Sequence, residues 1–398
     1  MRKYFLLTIS SMAIVVFRTI IMSKLGDVKL LSDVSLAVGI VGVLGAFFSI
    51  PLNTAFVVEF KGSSEQFRTC FANTVLTYSK FIYVLLIIVS AFCFAIIDEV
   101  DIYPFYAFIV ALSFCVGLIH QAILVSSNKQ NENQLIQFFS ALISLFGVAF
   151  ILIFLDDYFH EGSKYFLIFF ISSVYPILSG IFIGRTVDNI SIDNNQTCAF
   201  LLSLTSKVKE LFVSGVSGEV IRFVFRLVLY RTSDFALAVY QISLWLIQPV
   251  QSLIMSLVNL KIYPMIIDGK IDRKKYYQFS LLLCALVITF ILCLLPYKKE
   301  IVDFILELLS KDIDERYYEF SYFIMAAESL RVFSSLLSVL YISKGLYSTV
   351  ARFEITTNIV FFLAILVLYF FSFLEYNYLF IVSPLVYFVM LSVFYKGR

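Results

Sequence analysis

Long apolar runs separated by short polar turns repeat along the chain from about residue 4 to residue 395. A helix crosses a bilayer with roughly 20 mostly apolar residues. That length predicts twelve spans: about 4–22, 36–60, 75–97, 103–125, 135–155, 165–183, 210–231, 236–260, 279–296, 320–342, 355–374 and 377–395. The seventh is the least apolar. Arg2 and Lys3 followed by apolar residues have the look of a signal peptide. However, Arg18 interrupts that run and no A-x-A cleavage site follows, so it is kept as the first span.

The longest polar connection, about 184–209, separates six spans from six. The halves echo each other. The turn ILVSSNKQNENQ returns 216 residues later as VLYISKGLYSTV, FKGSSEQFR returns as DGKIDRKKY at an offset of about 207, and Pro176 and Pro384 lie 208 apart. Because six is even, both halves enter the membrane in the same direction, the layout of a parallel repeat. The expected fold is an all-α polytopic membrane protein of about 12 transmembrane helices in two parallel six-helix lobes, 1–190 and 191–398, around a central cavity. One outer loop is patterned as well: in 298–312, Ile301, Phe304, Ile305, Leu308 and Leu309 follow helical spacing with charges between them. This predicts an amphipathic strut in the outer interface.

Composition changes this picture only by excluding alternatives. The 398 residues are 61% hydrophobic and 15% charged, against roughly 45–50% and about 25% in soluble proteins, so the excess must face lipid. A net charge of +2 argues for no nucleic-acid partner. The six cysteines lie in or beside apolar runs without a CxxC, and only His120 and His160 are present, so neither a disulfide framework nor a metal centre is expected. With the N-terminus inside, 17 Lys and Arg fall on the cytoplasmic side and 8 on the other, which predicts cytoplasmic N- and C-termini. The outer acidic groups Asp98, Glu99, Asp101, Asp156 and Asp157 are compatible with that orientation.

Charges inside the spans carry the chemistry. Glu219, Arg222 and Arg226 lie on one face of span seven; as central, unpaired charges they would cost on the order of 8–10 kcal/mol. The span's twelve Leu, Ile, Val and Phe residues return only about 4–7 kcal/mol. That face therefore looks into protein, either as a staple between helices or as a cavity lining. Glu328 and Arg331 repeat the pattern in span ten. Arg18 sits in the outer third of span one, within reach of the interface by snorkelling, and Lys80 lies near the inner third of span three. On span eight, Gln241, Trp245 and Gln248 recur at helical spacing with Gln251 beside them, a face suited to sugar hydroxyls or to helix–helix polar contacts. Arginines attract an anion, and guanidinium forks suit phosphate oxygens. Glu219 and Glu328 are the candidates for coupling to H+ or Na+; no other cofactor is expected.

The segments AFVVEFKGSSEQFR, AILVSSNKQNENQ, NLKIYPMIIDGKIDRKKY, IVDFILELLSKDIDERYYEF and LYISKGLYSTVARFE resemble the Wzx-type polysaccharide-unit flippases, including the enterobacterial common antigen flippase. These belong to the multidrug/oligosaccharidyl-lipid/polysaccharide exporter superfamily. The resemblance implies a V-shaped, alternately opening carrier in the bacterial inner membrane. It implies a cargo of undecaprenyl-diphosphate-linked oligosaccharide, such as an O-antigen unit of lipopolysaccharide biosynthesis, moved to the periplasmic leaflet. Its implied partners are membrane lipids and the polysaccharide polymerase and chain-length machinery. It also implies that cationic residues of the first and seventh spans, here Arg18, Arg222 and Arg226, line the cavity. The alternatives are a cation-coupled small-molecule or drug exporter of the same fold, which would prefer an acidic, arginine-poor cavity, and a membrane polysaccharide polymerase, which would carry a large catalytic outer loop.

Overall fold

The computed structural model describes residues 2–25, 28–49, 63–96, 103–127, 129–154, 168, 171, 174–186, 194–258, 262, 265, 266, 269–308, 314–371 and 375–396. Among these residues every regular element is helical. The helices are α1 (Arg2–Leu25), α2 (Val28–Ser49), α3 (Glu65–Ile96), α4 (Tyr103–Ser126), α5 (Gln130–Phe154), α6 (Val174–Thr186) and α7 (Asn194–Thr232). They continue as α8 (Asp234–Leu257), α9 (Arg273–Leu294), α10 (Lys298–Leu308), α11 (Tyr318–Ser343), α12 (Tyr347–Phe371) and α13 (Val382–Lys396). Twelve of them answer to the twelve spans and α10 to the amphipathic stretch. Six helical stretches meet the length and hydropathy expected of a membrane crossing, among them Asn131–Phe154, Arg273–Glu307 and Tyr347–Phe371. Large apolar side chains stand outward: Phe81 is 72% exposed, Phe146 68% and Phe371 74%. Such a surface is stable only against lipid.

Two departures from the expected elements share a cause. The residues 194–209, read as part of a polar connection, are the first turns of α7, a helix of 39 residues. Likewise α3 begins at Glu65, about ten residues before the apolar run, where the Ser64 hydroxyl accepts the Phe67 N–H at 3.3 Å. Neither stretch contains Gly or Pro, and Leu, Ala, Lys and Gln continue a helix past the end of its apolar part. The expected outer acidic groups and Leu309 lie outside the described residues.

Cα packing divides the chain into two compact units, Met1–Arg18 with Leu36–Glu219, and Thr19–Ser35 with Val220–Arg398. In the first, α4 packs on α3, α5 and α6. Close approach is built in at Gly117, where a Cβ would lie 2.9 Å from Pro176 Cγ. A polar clasp crosses the same seam: His120 is fully buried, with ring nitrogens 3.0 Å from the Ser79 and Ser179 hydroxyls, and Tyr83 Oη donates to the Pro176 carbonyl at 2.7 Å.

In the second unit α11 is the hub, packing on α8, α9, α10, α12 and α13. Its C-terminus closes through Gly345 at φ 72°, with Gly345 N–H on the Ile342 carbonyl and Leu346 N–H on that of Tyr341, both at 2.9 Å. The strut α10 sits against α11 on Val302 and Leu306, both buried, whereas Phe304 is 65% exposed. The buried stripe is thus rotated from the expected one, because Val302 and Leu306 flank the apolar arc on the side that meets α11. Lys298–Glu319 and Lys299–Glu315 ion pairs fasten the strut. Beyond its end, the Arg316 guanidinium holds the Asp314 carboxyl below its ordinary range.

Candidate functional site

Polar groups collect among the apolar helices of each unit. In the first unit, α1 and α5 are joined by two rungs. Thr8 Oγ1 donates to Gln134 Oε1 at 3.2 Å and Arg18 Nη1 to Ser144 Oγ at 2.9 Å. Both rungs join residues 126 apart, so the two helices run side by side in the same direction. Arg18 thereby points inward instead of snorkelling outward. It lines a cavity of about 250 Å³ together with Gln121 of α4, Gln137, Ser140 and Ser144 of α5, and Tyr175 and Pro176 of α6. Among the described residues its Nε has no hydrogen-bond partner. Tyr175 is fixed by its hydroxyl, which donates to Asn133 Oδ1 at 2.6 Å. Among the described residues, Arg18 is the one charged group of this lining.

Glu219 also belongs to this unit. It packs against α2 at Gly42, where a Cβ would stand 3.0 Å from Glu219 Oε2. Glycine at that position lets the carboxylate approach the helix backbone. Lys80 is exposed on α3 and is not part of the Arg18 cavity.

The second unit gathers more charge. Arg226 of α7 is only 6% exposed, and its guanidinium lies 5.5 Å from the centre of the Tyr240 ring on α8. Its Nε too is buried without a hydrogen-bond partner. Tyr240 is within electrostatic reach of Arg226, Glu328, Arg222 and Arg331, four of the five charges predicted in spans seven and ten. Glu328 accepts from Arg331 Nη1 at 2.7 Å and from Gln251 Nε2 at 3.2 Å. The Arg331 guanidinium also lies 5.5 Å from the Phe361 ring centre. Beneath the charges, Phe225 meets Tyr240, Phe361 and Phe380 at ring separations of 5.2, 6.0 and 5.3 Å. These rings form a dry floor that strengthens the charges above it.

The polar face of α8 divides. Gln241 and Trp245 are buried, at 2% and 8% exposure, and Gln241 Oε1 has no hydrogen-bond partner, while Gln248 is exposed. The neighbouring Asn259 lies outside the described residues. Tyr240 and Phe361 are functional candidates that the sequence pattern missed; an aromatic residue on a span rich in aromatics carries no signal of its own. The cavity residues Gln137, Ser140 and Ser144 left a fainter trace, polar positions spaced at three and four along span five.

Arg226, Arg222 and Arg331 lie within electrostatic reach of Tyr240, and Glu328 pairs with Arg331. Buried cations of this kind attract anions, and guanidinium donors fit phosphate or carboxylate oxygens in forked pairs.

No family model and no curated protein sequence matches the chain. Solved structures do. The chain is similar to a lipid II flippase, MurJ, in an inward closed conformation, at TM-score 0.68 and 15% identity over 99% of this chain and 87% of that one. It is similar to the MATE multidrug transporter DinF-BH at TM-score 0.62 and 14% identity, over 100% and 95% of the two chains. A multidrug resistance MATE family transporter of the MOP superfamily, inward-facing, matches at TM-score 0.56 and 12% identity over 97% and 94%. The fold is therefore the all-α polytopic membrane fold of these transporters.

Proposed function

We propose that the chain is a flippase of the MOP-superfamily fold that carries an undecaprenyl-diphosphate-linked oligosaccharide from the cytoplasmic to the periplasmic leaflet, with both termini in the cytoplasm. The observation that supports this most is Arg226, buried on α7 beside Tyr240 with no hydrogen-bond partner on its Nε among the described residues. A diphosphate joined to lipid on one side and sugar on the other carries roughly two negative charges, one on each phosphate. A buried cation and such a diphosphate match in sign. A buried cation retained at a cost in stability is explained when a ligand neutralises it during work. The fold shared with a lipid II flippase supports a lipid-linked cargo. In this reading Gln241 and Trp245 contribute to sugar contacts, and Glu219 and Glu328 are the groups through which H+ or Na+ couples to transport.

The test is reconstitution of the whole chain in vesicles loaded with a lipid-diphosphate-linked saccharide. A periplasm-side glycan-modifying enzyme then reports which leaflet holds the sugar. Transfer that depends on the chain, and that falls at least tenfold in Arg226→Ala, supports the proposal. Transport of a cationic dye with no movement of the lipid would select the drug-exporter reading, in which the neighbouring MATE folds mirror function as well as shape.

A further inference from the structure

A cavity in the first unit remains after the diphosphate has been placed. We propose that the Arg18 cavity binds an acidic sugar, a single carboxylate carried on a hydroxyl-rich ring, and so reads the glycan of the cargo. This rests on the flippase reading and narrows its substrate class. Four features carry the inference.

Size is the first. The cavity measures about 250 Å³, below the roughly 300–1,000 Å³ of sites for drug-sized ligands. A volume of this order suits one sugar ring.

Charge is the second. Among the described residues Arg18 is the one charged group lining it, so a monoanion neutralises it, whereas a diphosphate would leave about one negative charge unmatched in a low-dielectric wall. Donor geometry is the third. Arg18 spends Nη1 on Ser144, and a guanidinium carries five N–H donors, so donors remain for a carboxylate oxygen. The fourth is the rest of the lining. Gln121 and Gln137 offer amides that donate and accept, Ser140 offers a hydroxyl, and Tyr175 offers a ring whose hydroxyl is already committed to Asn133. Amides beside an anchored aromatic ring satisfy a sugar's alternating hydroxyl and C–H faces. A bare inorganic anion would leave those neutral groups without partners.

The experiment uses the purified full chain in nanodiscs, titrated with glucuronate, glucose, chloride and inorganic phosphate at constant ionic strength, with heat or thermal shift as the readout. Expected is saturable glucuronate binding at least tenfold tighter than glucose. Arg18→Gln should lose it tenfold or more, and Arg18→Lys should stay within tenfold of the parent. Binding of glucose equal to glucuronate, glucuronate binding indifferent to Arg18→Gln, or chloride or phosphate competing at equal affinity would each overturn the assignment; the last would make the cavity a simple anion site. Gln137→Leu keeps the test independent of folding at Arg18 and should weaken glucuronate without altering chloride. A chain that binds glucuronate at Arg18 but moves no lipid-linked saccharide refutes the flippase and spares the site. A chain that moves neutral lipid-linked glycans and ignores glucuronate does the reverse.

Discussion

Replacing Arg226 by methionine separates a working cation from a structural one, because the two roles predict opposite changes in stability. Arg226 is 6% exposed, and among the described residues its Nε has no hydrogen-bond partner. Leaving such a group unsatisfied costs about 1–3 kcal/mol, more for a charged one. Its visible compensation is the Tyr240 ring at 5.5 Å, worth about 0.5–2 kcal/mol. Methionine keeps most of the apolar stem in place, so little packing is lost. The expected net effect is a gain of about 1 kcal/mol, a rise of roughly 2–4 °C in Tm for a unit of this size. Transport should move the other way. Loss of one charge-assisted contact to phosphate, about 1.5–3 kcal/mol, lowers the rate roughly 10- to 150-fold. Unfolding in mixed micelles gives the first number and leaflet exposure of the lipid-linked sugar the second. A Met variant that loses more than about 2 kcal/mol and transports at the parental rate refutes the reasoning, since Arg226 would then be a staple.

Three further perturbations address the scaffold. A double-mutant cycle of Glu328→Gln and Arg331→Met should report a coupling of about 1–3 kcal/mol in unfolding, because the pair is mostly buried and bonded at 2.7 Å; additive losses would deny the pair any energetic role. Gly117→Ala should destabilise by about 1–3 kcal/mol, since its Cβ would lie 2.9 Å from a proline ring that cannot rotate away, and a neutral outcome would mean that α4 and α6 separate easily. His120→Leu removes both hydroxyl contacts and should cost about 1–3 kcal/mol with unchanged pH dependence of transport; a changed profile would give the ring a proton-handling role.

Helix number and order are readable from the chain because lipid enforces them: a crossing segment must be apolar and long, and both properties are local. Helix ends are not enforced in the same way. The first turns of α7 carry Lys207, Lys209 and Glu210, and those of α3 carry Glu65 and Arg68, so hydropathy stops before the helix does. What continues the backbone there is the absence of a breaker, a weaker signal than an apolar run. The packing units follow yet another rule. Their division falls within α1, α2 and α7, after Arg18, Ser35 and Glu219, where no polar linker marks it.

The candidate sites divide along the same line of energetic cost. Glu219, Arg222, Arg226, Glu328 and Arg331 announce themselves because each is expensive in a span, and the i, i+3 spacing of Glu328 and Arg331 predicts the pair that forms. Tyr240 and Phe361, which complete the same cluster from other helices, cost nothing in lipid and so leave no mark. Arg18 shows the limit most clearly. Its charge is visible, yet an arginine in the outer third of a span has two outlets, the interface and the protein interior. The choice is made by Ser144, 126 residues away, and by Gln121 and Gln137 beside it. Neutral polar residues are cheap enough to serve as helix–helix contacts anywhere, so their meaning comes only from the charge they surround. Intramembrane charge therefore locates a site in a chain of this kind, and the neutral residues packed around it decide which anion the site accepts.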